Sequence, residues 1–266
     1  AEHILSKDNV IAATRKSVFE QTISNQKKIT SLLIEDFNTT GIKGGPLPHD
    51  IKMNDGSRND YFAFIWDVGA TEDKGEDKGG SIGIGRLTFA LSSKINTFFV
   101  LTKQNFKNYK DTYFTGLAKL GQSKSDNYLD PIARFGVDGD DYGIPGIPCP
   151  IKNETDIDII KKIFKLERKE NEPGSSMIVP YPIEDLTYEN IILNFIKRYR
   201  VGFYLNHFKV FVGETCISRD TIKDVIKKYI PSEYSNYCSY FDFLDFCTEI
   251  EKNKSHYKVS FDTENP

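Results

Sequence analysis

Cysteine, net charge and long apolar runs are all scarce in this 266-residue chain, and each scarcity removes a class of function. The four cysteines, Cys149, Cys216, Cys238 and Cys247, are scattered with no C-x-x-C pair, which fits neither a zinc site nor a dense disulfide framework. They read as reduced thiols of a cytoplasmic protein. Lys+Arg 35 against Asp+Glu 38 leaves a net charge of −3, so no global field draws the chain to DNA, RNA or anionic lipid. No apolar run approaches the roughly 18 residues a membrane span needs, and residues 1–10 lack the charged-then-apolar plan of a signal peptide. The expectation is a soluble protein with no membrane partner. His3, His49, His207 and His256 stand far apart with no His-x-x-x-His pair, so surface or core roles suit them better than metal ligation.

What is present is ordinary globular material: 39% hydrophobic residues with 13% aromatics can fill one large core or two small ones. Helical spacing marks residues 9–26, and a short apolar run at 29–34 reads as a strand buried on both faces. It delivers Asp36 to the small, polar stretch Asn38-Thr39-Thr40-Gly41. A loop at 43–59 precedes alternating aromatics at 61–68, which predict a second strand. An acidic, Gly-containing segment at 69–78 follows, then a helix to about Lys94 and a buried strand at 97–102. Turn residues crowd 105–150, where loops and short strands are expected. Further along, the pattern predicts a helix over 156–170, a strand at 177–179, a helix from the Thr187 cap to about Arg200, and a strand at 210–212. A helix from the Ser218 cap to Tyr229, a helix over 240–252 and a closing strand at 257–261 complete the plan.

The strongest chemical signal is the cluster Gly79, Gly80, Gly83 and Gly85 directly before a helix. Glycines let backbone approach a phosphate, and successive N–H groups form an anion cradle. A flexible turn with a helix cap is the alternative. Known phosphate loops do not fit. Gly80 and Gly85 have P-loop spacing, but Arg86 and Leu87 replace its Lys and Ser/Thr. A dinucleotide fingerprint fails at Thr88 and lacks its first strand. A protein kinase would place its glycines before the Asp-Phe element, whereas Asp36-Phe37 precedes them here.

The surviving order is an aspartate–glycine loop, a Gly-rich lid entering a helix, and a Gly-Ser turn into a strand. That order, over about residues 29–179, resembles the GHKL (Bergerat-fold) ATPase family. Asp36 with Asn38 and Gly41 looks like its first glycine box, whose aspartate accepts from the adenine amine, with Thr39 or Thr40 assisting through a water. Gly80, Ser81, Gly83 and Gly85 look like the phosphate lid, with Arg86 where relatives usually carry Lys. Gly174-Ser175-Ser176 looks like the third box. The segment 34–41 and the glycine cluster further resemble a bacterial branch of largely uncharacterised GHKL proteins, some suspected of anti-phage roles.

The resemblance implies an α/β fold: a two-layer sandwich of a mixed sheet with helices on one face over 1–182, then a C-terminal α/β extension over 183–266 acting as a relay. It implies ATP as ligand, Mg²⁺ as cofactor, and a homodimer or partner protein receiving the output. The family's N-box, the Glu/Asn helix that activates water and holds Mg²⁺, has no counterpart here. In the narrower branch a helical insertion can separate the N-box from the first glycine box, so the resemblance implies that residues 1–28 are that insertion and that the N-box lies upstream, which would make the chain an incomplete ATPase. Two functions stay open: an ATP-binding conformational switch, hydrolytic when completed, and a non-catalytic interaction domain retaining the fold. Asp138, Asp140 and Asp141 suit a solvated loop better than calcium, because Tyr142 and Cys149 stand where an EF-hand loop needs oxygen ligands. The run Lys161, Lys162, Lys165, Arg168 and Lys169 reads as a solvated helix face.

Overall fold

The computed structural model describes residues 29–66, 85–119, 132–205 and 208–252. The helix expected at 9–26, the lid residues Gly80, Ser81 and Gly83, and the strand expected at 257–261 lie outside the described residues. The chain divides into two compact units, Ala1–Ile183 and Glu184–Pro266.

In the first unit, β1 (Ser31–Glu35) is followed by α1 (Asp60–Ile65), α2 (Gly85–Leu91), β2 (Thr97–Lys103), β3 (Thr112–Lys119) and β4 (Ile132–Phe135). A two-strand ribbon, β5 (Val137–Asp138) with β6 (Pro148–Cys149), then α3 (Glu154–Phe164) and β7 (Gly174–Pro180) complete it. The main sheet has five strands in the order β1-β7-β2-β3-β4, and every neighbouring pair is antiparallel. The mixed sheet expected from the resemblance is therefore corrected to a wholly antiparallel one.

The helices also depart from expectation. Side chains alternate across a strand, so Phe98 and Val100 of β2 point to one face, where they meet Tyr61 and Ile65 of α1 and Ala90 of α2. Phe99 and Leu101 point to the other, where Ile157, Ile160 and Phe164 of α3 close over them with Phe114 and Ile178. Helices cover both faces rather than one. The reason is visible in the apolar run Thr97–Lys103: a strand hydrophobic on both sides needs cover on both sides.

Residues 61–68, expected to form a strand, open instead with a helix. Asn59 caps it, its Oδ1 accepting from Phe62 N at 2.8 Å, and Tyr61 and Ile65, four apart, both turn inward. A good cap overrode the β preference of the aromatics. Conversely, β3 is an eight-residue strand where loops and short strands were expected. Its Gly116 is a packing requirement: a Cβ there would stand 2.5 Å from Phe99 Cδ1. Helix α3 starts under an Asn153 cap and stops at Lys165 (φ 54°), so residues 166–170 leave the helix that was expected to hold them.

The second unit comprises α4 (Tyr188–Tyr204), a β8 (Val210–Val212) and β9 (Thr215–Ile217) hairpin, α5 (Ile222–Tyr229) and α6 (Tyr234–Lys252). Thr187 caps α4 as expected, while the α5 cap position is Thr221 rather than Ser218. Ile192 and Ile196 of α4, Ile217 of β9, Ile222 and Ile226 of α5 and Phe241 of α6 form its core. Tyr204 stacks on Phe241 with ring centroids 4.2 Å apart and donates its hydroxyl to Asp245. No helix among the described residues is long and apolar enough to cross a membrane.

Candidate functional site

The ends of β1, β2 and β7 converge on Asp36. The β1–β7 ladder runs one bond past β1, with Asp36 N donating to Ser175 O at 2.9 Å. The Asp36 carboxylate then turns back: its Oδ1 accepts from Ser175 N at 2.9 Å and from Thr39 Oγ1 at 2.7 Å. Oδ2 has no partner among the described residues, and Asp36 is exposed. An aspartate with one oxygen fixed by a main-chain amide and the other open presents a directed acceptor.

The loop beyond it reverses sharply. Asn38 sits at φ 60°, a left-handed conformation that asparagine tolerates better than most residues. Gly41 (φ 65°) lies so close to β2 that a Cβ would stand 2.5 Å from Lys103 O and 2.9 Å from Thr102 Oγ1. Thr102 Oγ1 accepts from Ile42 N at 2.9 Å and lies 3.2 Å from Ser175 Oγ, its register partner on β7. Thr40 turns its hydroxyl to the Gly41 carbonyl at 3.2 Å, so Thr39, not Thr40, is the threonine on the aspartate. Beyond this turn Gln104 holds the loop, Nε2 donating to Ile42 O and Gly44 O.

On the other face of the sheet, Ser176 donates to Glu35 Oε1 at 2.6 Å and accepts from Arg168 Nε at 3.1 Å. Arg168 is buried, which corrects its place in a solvated basic face. Burial lowers its pKa, and the carboxylates of Glu35, Asp36 and Glu172 work against that shift. Because a guanidinium starts so far above neutrality, it stays charged. Behind Arg168 a cleft of about 170 Å³ opens between α3 and the end of the β2–β3 pair, lined by Lys103, Thr112, Asp158 and Lys161 among others. Lys103 and Thr112 lie on the α3 face of their strands, so this cleft is separate from the hydroxyls of Thr102 and Ser175.

Of the residues singled out from the sequence, Asp36, Asn38, Thr40, Gly41 and Ser175 are gathered at this one sheet corner. Gly85 opens α2, whose Ala90 packs on Phe98, Val100 and Val179. By strand alternation Thr102 and Ser175 share that face. A Cβ at Gly85 would meet nothing within 4 Å. Arg86 is the second residue of α2. Among the described residues no group of three or more His, Cys, Asp or Glu could hold a metal ion, so nothing here is assigned to Mg²⁺. In the acidic loop at 138–141, the Asp138 carboxylate accepts from Asp140 N and Gly146 N, which makes it a turn former.

Sequence reading missed the roles of Thr102, Glu35 and Arg168, and took Ser176 only as part of the third box. A hydroxyl at the end of the 97–102 strand was a usable signal for Thr102. Arg168 had none, because it lies just beyond a helix whose basic residues mask it. Comparison of the chain with family models, with curated proteins and with solved structures gave no match in any of the three.

Proposed function

We propose that the first unit is an ATP-binding switch module of GHKL type, with adenine recognised at Asp36. The observation that carries this reading is the Asp36 carboxylate, whose Oδ1 is fixed by Ser175 N and Thr39 Oγ1 while Oδ2 stays open, beside the paired hydroxyls of Thr102 and Ser175. An acceptor held in this way suits the amino group of a purine, and neighbouring hydroxyls suit an ordered water beside it. Gly85 at the start of α2 is the near end of the glycine segment that the proposal assigns to the phosphates, together with Gly80, Ser81, Gly83 and Arg86. The cytoplasmic setting, the dimer or partner protein, and the relay role of residues 183–266 belong to the same proposal.

The test is thermal unfolding of the full chain with increasing non-hydrolysable ATP analogue, beside GTP and inorganic triphosphate. A ligand at 100 times its Kd stabilises a protein by about 2.7 kcal/mol, an easily read rise in Tm. A rise with the ATP analogue that exceeds those with GTP and triphosphate supports the module. No rise with any of the three overturns it. Phosphate release measured on the same sample separates a hydrolytic switch from a binding domain.

A further inference from the structure

Arg168 carries more contacts to the Asp36 corner than its place in the sequence accounts for. The residue is 4% exposed, and its guanidinium donates Nη2 to the Asp36 carbonyl at 2.5 Å, Nε to Ser176 Oγ at 3.1 Å and Nη1 to Glu172 O at 3.1 Å. Its Cζ lies over the Phe37 ring, 4.8 Å from the centroid. Three consecutive residues are therefore gripped. Glu35 is held through Ser176, Asp36 by its carbonyl, and Phe37 by the cation over its ring. Arginine is rarely buried unless its donors are occupied, and the planar fork that occupies them here cannot be reproduced by an ammonium group. Meanwhile the Asp36 side chain is left with one oxygen unengaged.

We infer that Arg168 is a positioning residue for base recognition: it fixes the main chain at residues 35–37 so that Asp36 Oδ2 points at a purine amino group. This rests on the nucleotide-binding reading above. Arg168 touches no part of the base itself; it acts through Asp36. A side chain that merely glued β1 to the 165–173 loop would, when shortened, weaken every ligand alike. A positioning residue shortened in the same way costs the recognition of one group.

The experiment is a calorimetric titration of the full chain with two non-hydrolysable triphosphates, one bearing adenine and one bearing unsubstituted purine, which lacks the 6-amino group. Wild type is expected to prefer the adenine form by about tenfold or more, the range of a hydrogen bond to a charged acceptor. Arg168→Lys is expected to reduce that preference to less than about threefold while leaving affinity for the purine form within about threefold. Ser176→Ala, which removes the hydroxyl that orients Nε, provides a milder second variant and is expected to reduce the preference in the same direction. It decides the matter if Arg168→Lys does not fold. Full retention of the preference in the variants, or equal weakening of both ligands, overturns the inference while leaving the nucleotide site intact. Wild type that binds both forms equally removes the role of Asp36 and this inference with it, and wild type that binds neither removes the nucleotide reading as well.

Discussion

Gly174→Ala is the sharpest structural test of the Asp36 corner. Gly174 sits at φ 137°, and a Cβ there would stand 2.3 Å from Asp36 O, 2.5 Å from Asp36 Oδ1 and 2.8 Å from Arg168 Nη1. The backbone conformation alone costs a non-glycine residue about 1–3 kcal/mol. The contacts then force Asp36 aside, weakening the bonds from Ser175 N and Arg168, each worth about 1 kcal/mol or more. A loss of about 3 kcal/mol corresponds to a fall in Tm of about 6–12 °C for a domain of this size. Gly143→Ala is the matched control. Gly143 also has positive φ (72°), but nothing lies within 4 Å of its Cβ position, so only the backbone cost of about 1–2 kcal/mol applies. Circular dichroism melts of wild type and the two variants read the difference. A Gly174→Ala melt no lower than that of Gly143→Ala would refute the close approach of β7 to Asp36.

Gly85→Ala should leave Tm within about 2 °C of wild type or raise it slightly, since its Cβ meets nothing and alanine favours helix by about 1 kcal/mol. On the lid reading it weakens the ATP analogue more than adenosine, and equal effects on both ligands in a binding assay would count against a lid. Tyr204 has its pKa raised from 10.0 to about 12, first by burial and then by its bond to Asp245. A raised folded-state pKa means that this contribution to stability is complete below pH 10 and is lost as pH climbs towards 12. Melts of wild type and Tyr204→Phe across that window should therefore converge as pH rises, and parallel curves would contradict the assignment.

How far the sequence could be read depended on whether local chemistry or tertiary contact decided each element. Strand β2 was legible because a short, unbroken apolar run bounded by polar turns suits a buried strand and little else, and α4 because Thr187 caps a long amphipathic stretch. The run at 29–34 gave the strand β1 but not its burial, since β1 is the edge strand of the sheet, none of its residues is buried and Ile34 is exposed. The same runs already implied cover on both sheet faces, so the expectation of helices on one face conflicted with them. Helix α1 was hidden by β-forming aromatics, since its decisive feature, the fully engaged Asn59, depends on the carbonyls of Gly45 and Asp50 brought in from the preceding loop. β3 was hidden by Gly116, which looks like a turn residue and is in fact room for Phe99. At the site, Asp36, Gly41 and Ser175 were found by their order along the chain. Thr102, Ser176 and Arg168 matter through cross-strand register and a buried guanidinium, which no spacing within one segment encodes.

The central claim is that Asp36 receives a purine amino group, and the direct measurement is calorimetric titration of a non-hydrolysable ATP analogue into the full chain and into Asp36→Ala. The account predicts saturable binding by wild type and a loss of about tenfold or more in the variant, which keeps its far-UV spectrum. Undiminished affinity in Asp36→Ala, or no heat of binding in wild type, would contradict it.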